Sequence, residues 1–300
     1  MALGTNHVAL TEAATFIPEV WSDDVIAAYK QNLVMAPLVT RINHQGKKGD
    51  TIHIPAPTRG TASAKAAETQ VTLIANTESE VTVSINQHWE YSRLIEDIVE
   101  KQALGSLRRF YTDDAGYALS TRVDTSLHAL GATLQGGSAY NAAVRGGDGS
   151  TAWTDGTGTA LLDAGIRTAI QTLDQSDVPM DHRYFVVGPT SRNVLMGIDR
   201  FTQEAFVGER GMDNTIRNGR IGNVYGVEVY VSNNVAALGT GSDEYANVMF
   251  HKDTFVLAEQ LGVRSQAQYK QEYLSNLYTA DTLYGVAELR DTAGIVLVTP

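Results

Sequence analysis

The segment Gly156-Thr-Gly-Thr-Ala-Leu spaces two glycines like the start of a dinucleotide loop. In such a loop, backbone N–H groups at a helix N-terminus cradle a pyrophosphate. Here the third glycine is missing and no apolar strand precedes the segment, so the sequence sets up no cofactor cradle. Nucleophilic catalysis by Ser126 and His128 is disfavoured because residues two apart on a helix point to different faces. The seven histidines are His7, His44, His53, His88, His128, His182 and His251, and none pairs with another at i+2 to i+4. No metal site is therefore visible. Asp23-Asp24 and Asp113-Asp114 are adjacent, which suits caps or solvated faces better than two carboxylates converging on a substrate. Neither a phosphate loop ending in Gly-Lys-Ser/Thr nor a Gly-x-Ser-x-Gly nucleophile elbow occurs. Arg210, Arg217 and Arg220 lie among Glu204, Glu209 and Asp213. They could bind an anion, but such a mixture more commonly makes salt bridges around an oligomer axis or faces solvent. Arg108-Arg109 carry the same ambiguity. No catalytic, cofactor-binding or metal-ligating residue is assigned, and no cofactor is expected.

The composition narrows the classes of partner. Net charge is −11 over 300 residues, which argues against a basic groove for phosphates. There is no cysteine, so disulfides and thiolate metal sites are excluded. Charged residues make up only 19%, a low share that hints at surface covered by partners. No run approaches the ~20 apolar residues of a membrane helix, and Met1–Val8 lacks the pattern of a signal peptide.

The elements that would position any site are legible in part. Phe16-Ile-Pro-Glu-Val-Trp begins an arm in which Val25, Ile26, Tyr29 and Leu33 recur at helical spacing, with Pro37 ending the helix. Thr51-Ile-His-Ile-Pro and Val81-Thr-Val-Ser-Ile-Asn alternate with period two, predicting two extended arms around the small, polar tip Thr58–Ala67. That hairpin is either a surface loop or an arm reaching over a neighbour. Tyr91–Gln135 predicts the longest helical stretch, through Leu94, Ile98, Leu104, Leu107, Leu119, Val123, Leu127, Leu130 and Leu134. Gly105 and Gly116 are its candidate bending points. The glycine-rich Gly136–Gly158 marks the strongest domain boundary. Beyond it, Thr159–Leu173 and Ser191–Ile198 predict helices. Tyr184–Val187, Val227–Val231, Val248–Phe250 and Ile295–Val298 predict strands. This is an α+β order without repeating βα units.

Taken in order, Phe16-Ile-Pro-Glu-Val-Trp, Gly222-Asn-Val-Tyr-Gly-Val-Glu-Val-Tyr-Val-Ser-Asn-Asn and Tyr284-Gly-Val with its apolar tail resemble the major capsid proteins of tailed phages. The resemblance implies the Hong Kong 97-type capsid fold: an N-terminal arm at 1–43, an extended E-loop hairpin at 44–90, a peripheral domain with a long spine helix at 91–150, an axial domain at 151–240, and the peripheral domain continued at 241–300. It further implies a homo-oligomer of hexamers and pentamers and an icosahedral shell that matures by expansion. The shell would enclose double-stranded DNA without sequence-specific binding or a membrane. A separate scaffolding protein, a portal at one vertex and a cement or decoration protein would be its partners. The virion would be its location, after synthesis and assembly in the bacterial host cytoplasm. Candidate subunit contacts are Phe16 and Trp21 in the arm, Arg59, Lys65 and Glu68 in the hairpin, and Arg210, Arg217 and Arg220 in the axial part. The alternatives are an encapsulin-type nanocompartment shell and a cytosolic α+β enzyme with an unrecognised site.

Overall fold

The computed structural model describes residues 33–46, 48–57, 60–71, 73–74, 78–102, 107–134, 144–198, 222–239 and 244–300. Two sheets share one core. In the first, β1 (Thr40–Asn43), β11 (Phe255–Lys270), β12 (Ser275–Glu288) and β4 (Gln87–Glu96) lie in that order. β1 runs parallel to β11, and the other pairings are antiparallel. The second sheet has the order β5 (Val144–Gly146), β13 (Gly294–Thr299), β10 (Glu244–His251), β6 (Arg183–Val187), β8 (Val227–Val231) and β7 (Asn223–Val224), with β9 (Ala237–Leu238) also paired to β10. β13 is buried at every residue. A strand covered on both faces reads as a continuous apolar run, as Ile295-Val-Leu-Val does.

The spine helix α3 (Leu107–Ala132) has 26 residues and is about 39 Å long at 1.5 Å per residue. Ala115, Leu119 and Leu127 form its buried stripe at multiples of four. Leu127 meets residues of both sheets, Phe255 and Tyr284 of the first and Val186 and Val248 of the second. The short helix α1 (Met35–Leu38) inserts Met35 and Leu38 into the same core. On the far face of the second sheet, α4 (Asp163–Gln175) buries Ile166, Ala169 and Leu173 against Phe185, Val187 and Leu297. Helix α5 (Pro189–Met196) starts with proline, where the missing N–H costs nothing.

The hairpin forms as its alternation predicts. β2 (Thr51–Pro57) pairs antiparallel with β3 (Glu78–Ser84), Ile52 opposite Val83 and Ile54 opposite Val81. Its base packs Val83 and Ile85 on Val256 and Ala258 of β11. Beyond the base, every described residue from Gly60 to Val71 is exposed. The base also crosses β12 at Gly285, where a Cβ would overlap the Ser84 carbonyl oxygen and sit 3.0 Å from Ile85 Cα.

Parts of the sequence reading differ from the structure. Tyr91–Glu96 is strand rather than helix, because β4 pairs with β12 throughout, Tyr91 opposite Ala280. Helix resumes in α2 (Asp97–Gln102). Pro37 does not end a helix; it lies within the first turn of α1. The described part of the glycine-rich break is closely packed. A Cβ on Gly147 would lie 2.7 Å from Leu161 Cα, and one on Gly149 2.6 Å from Gly165 Cα, so these glycines let loop and helix touch. Within 241–300, β10 and β13 join β6 and β8 in the second sheet, while β11 and β12 lie in the first. Finally, the 16- and 14-residue strands β11 and β12 were not expected.

Candidate functional site

The residues that might have done chemistry are used structurally. Ser126 and His128 point apart: Ser126 shares a 2.8 Å hydrogen bond with the Tyr284 hydroxyl, while His128 Nε2 lies 3.5 Å from Asp124 Oδ2. No cluster of three metal-ligating side chains exists among the described residues. The loop at Gly156 does cradle an anion, but that anion is the chain's own Glu244. Its carboxylate accepts the Trp153 indole N–H at 2.7 Å, the Gly156 amide at 3.3 Å and the Gly158 amide. A Cβ on Gly158 would lie 2.7 Å from Glu244 Oε1, so a larger residue there would push the carboxylate aside. Two cavities of about 270 and 240 Å³ are present, small beside the ~300–1,000 Å³ of ligand sites. No helix among the described residues is long and apolar enough to cross a membrane.

What the molecule offers instead is unpaired apolar surface in two places. On the hairpin, Val71, Leu73 and Ile74 are exposed, Leu73 at 89%. At the β11–β12 tip, Tyr273 and Leu274 are exposed, with Leu94, Ile98 and Val99 on β4 and α2. Leu274 is 66% exposed with φ +45°, a left-handed conformation that disfavours a side chain. Asp97 fixes this tip: its N–H donates to the Leu274 carbonyl, and its carboxylate accepts from the Tyr269 hydroxyl at 2.8 Å. An exposed leucine held in a strained backbone is a feature of a contact surface rather than of a free turn.

The sequence candidates fall unevenly on this surface. Lys65 and Glu68 share the hairpin's exposed tip, beside a turn in which the Thr69 hydroxyl donates to the Ala66 carbonyl; Glu68 has φ +62°. Gly116 lies inside α3 with open space where a Cβ would go. Phe16, Trp21, Arg59, Gly105, Arg210, Arg217 and Arg220 lie outside the described residues. The sequence reading missed Val71, Leu73 and Ile74, although an apolar run beside a tip without a core was the available signal. Nothing local marked Tyr273 and Leu274.

Three carboxylates are held ionised by their surroundings. Burial opposes ionisation of Asp124, but bonds from His128, Asn234 and the Met35 N–H outweigh it and lower its pKa. Burial also opposes Asp148, yet the hydroxyl and amide donors of Thr151 and Ser150 hold it well below the usual carboxylate range. The Arg264 guanidinium, forked onto Asp281 at 2.9 and 2.7 Å, lowers Asp281 against a smaller burial penalty, with help from His88. A carboxyl lowered on folding contributes stability that is complete above its unfolded pKa, near 4, and lost as pH falls through the folded value. Glu288, raised by burial and by Asp291, acts in the opposite sense. We therefore expect the urea midpoint of the unassembled subunit to hold against these three groups down to about pH 5 and to fall below about pH 4. Asp281→Asn should flatten that acid limb. An unchanged limb in the variant would remove Asp281 from the account.

The comparisons with known proteins agree with the geometry. A phage capsid protein family model matches residues 92–296. No curated protein matches the sequence. Among solved structures, one from Mycobacterium phage Che8 aligns with a TM-score of 0.76 and 27% identity, covering 94% of this chain and 97% of that one. The capsid of Cyanophage P-SCSP1u gives 0.74 and 18%, covering 96% and 94%. The mature capsid of bacteriophage PhiM1 gives 0.71 and 15%, covering 94% and 91%. With the whole of α3 and most of both sheets inside the matched span, the chain belongs to the phage capsid protein family and has the Hong Kong 97-type fold.

Proposed function

We propose that this chain is the major subunit of the icosahedral shell around the double-stranded DNA of a tailed bacteriophage. The observation that carries the reading is the hairpin with its apolar Val71, Leu73 and Ile74 exposed and no core around them, on a chain of the capsid family. Identical copies related by rotation can cover such surface, closing rings of six and five, and curvature then closes the shell. The arm with Phe16 and Trp21, the hairpin with Arg59, Lys65 and Glu68, and Arg210, Arg217 and Arg220 are the proposed subunit contacts. The arm at 1–43, E-loop at 44–90, spine-helix part at 91–150, axial part at 151–240 and return at 241–300 are the proposed division. A net charge of −11 suits a wall that holds DNA without gripping it. A separate scaffolding protein, a portal and a cement protein are the proposed partners. Synthesis and assembly take place in the host cytoplasm, and no catalysis is required. Maturation by expansion would bend α3 at Gly116 and at Gly105 before it.

Negative-stain electron microscopy of the purified chain, with and without a candidate scaffold, tests the proposal. Closed shells, or free hexamers and pentamers, are expected. A uniform monomer or dimer under every condition overturns it, and particles filled with protein cargo would favour a nanocompartment. Changing both Leu73→Ser and Ile74→Ser should abolish these assemblies. Stability of the lone subunit should change by only about 0.5 kcal/mol, as for exposed sites generally. Normal assembly of that variant would clear the hairpin's apolar run of any contact role.

A further inference from the structure

Asp124 stands about two-thirds of the way along α3 and is 1% exposed. Its Oδ1 accepts the backbone N–H groups of Val34 at 3.1 Å and Met35 at 2.9 Å. These begin α1, whose own N-cap residue supplies no side-chain bond. A carboxylate from a distant helix therefore satisfies amides that a helix start leaves open. Its Oδ2 accepts Asn234 Nδ2 at 2.9 Å. Asn234 belongs to the loop after β8 and precedes Val235, which is buried in the shared core. One carboxylate thus joins the arm root, the spine helix and the return loop of the second sheet.

We propose that Asp124 is a latch that couples the root of the N-terminal arm to the loop after β8, so that the two leave the spine helix together. Each outer segment is held by a different oxygen of the same carboxylate, so losing one set of bonds reorients the group and weakens the other. His128 lies one turn along the same helix, its Nε2 3.5 Å from Oδ2 and equally buried. The helix is also softened here. The hydroxyls of Ser120, Thr121, Thr125 and Ser126 donate to the carbonyls of Gly116, Tyr117, Thr121 and Arg122, a pattern that loosens and bends helices. The cavity lined by Leu33, Ala36, Leu119, Val123 and Tyr284 adjoins the latch and gives these side chains room to move. The device rests on the geometry of one subunit and not on shell formation.

Hydrogen exchange of the full-length, unassembled chain, read by mass spectrometry, tests the coupling with Asn234→Ala and Asp124→Asn. Asn234→Ala should speed exchange in the arm root, 34–43, about tenfold or more, although Asn234 reaches those amides through the Asp124 carboxylate. Asp124→Asn should speed exchange both there and at 230–238. The strand 244–251 should stay protected in both variants, which separates latch opening from global unfolding. Faster exchange confined to 230–238 in Asn234→Ala overturns the latch. So does an arm root in Asp124→Asn as protected as in the unaltered chain. If Asp124→Asn does not fold, Asn234→Ala alone decides. Electron microscopy judges the capsid reading separately, so either can fail without the other.

Discussion

Gly285→Val should detach the hairpin from the body of the subunit. At this position β12 passes directly under the end of β3, and even one added carbon would overlap the Ser84 carbonyl oxygen. The neighbours are backbone atoms on paired strands, Ser84 opposite Thr51 and Gly285 opposite Ala258, so neither can step aside as a flexible side chain could. Overpacking a well-filled site costs about 1–3 kcal/mol, and a backbone clash belongs at the upper end. The lone subunit should lose roughly 5–10 °C in melting temperature. Amides at 81–86 should lose exchange protection while β10 and β13 keep theirs. Shell assembly should fail, because the apolar run on the hairpin would no longer be aimed. A variant with the parent's melting point and hairpin protection would mean that the crossing is not tight. Tyr284 beside it has a separate task, its ring in the shared core and its hydroxyl on Ser126 of the spine helix.

Glu244→Ala should destabilise the second sheet more than any surface change. The Glu244 side chain accepts three donors in a residue only 4% exposed. Deleting it leaves the Trp153 indole and two glycine amides without their acceptor. The indole is buried, so losing its acceptor costs about 1–3 kcal/mol. The glycine amides lie nearer solvent and can turn to water, so the loss should be about 2–3 kcal/mol, measurable as a lower urea midpoint. Glu244→Gln keeps the shape but offers one oxygen where two were used, so it should fall between. Trp153→Phe combined with Glu244→Ala should cost less than the two changes summed, because they remove the same bond. Strict additivity, or a loss under about 1 kcal/mol, would show that water replaces the carboxylate without penalty.

How much of this was readable in the sequence depends on where each partner sits. The hairpin arms were readable because Ile52, Ile54, Val81, Val83 and Ile85 alternate and find one another across a short span. β6 and β13 were readable because burial made them apolar, and β8 because Val227, Val229 and Val231 alternate. β11 and β12 were not. Their register slips between Glu259 and Leu261 and again before Arg264, and residues 263–269 are exposed, so no alternation survives. Leu94 and Ile98 imitated a helical step of four although one lies in a strand and the other in the helix after it. The Gly156 loop holds Glu244, which lies 88 residues away from Gly156 and is announced by no local spacing. Asp124 gave no sign at all, since its meaning comes from Val34, Met35 and Asn234, which only the folded chain brings near.

The strand order of the second sheet bears on how the subunit comes into being on the ribosome. β13 lies between β5 and β10, so the middle of that sheet is missing until residues 294–299 have emerged. β5 waits half the chain's length for its parallel partner, and β1 waits still longer for β11. Such distant pairings are slow to form and leave open strand edges meanwhile. Synthesis therefore yields a nascent chain whose second sheet stays unsealed until residues 294–299 are out. Such a chain is vulnerable to pairing with its neighbours on the same messenger before it is competent to assemble with them correctly.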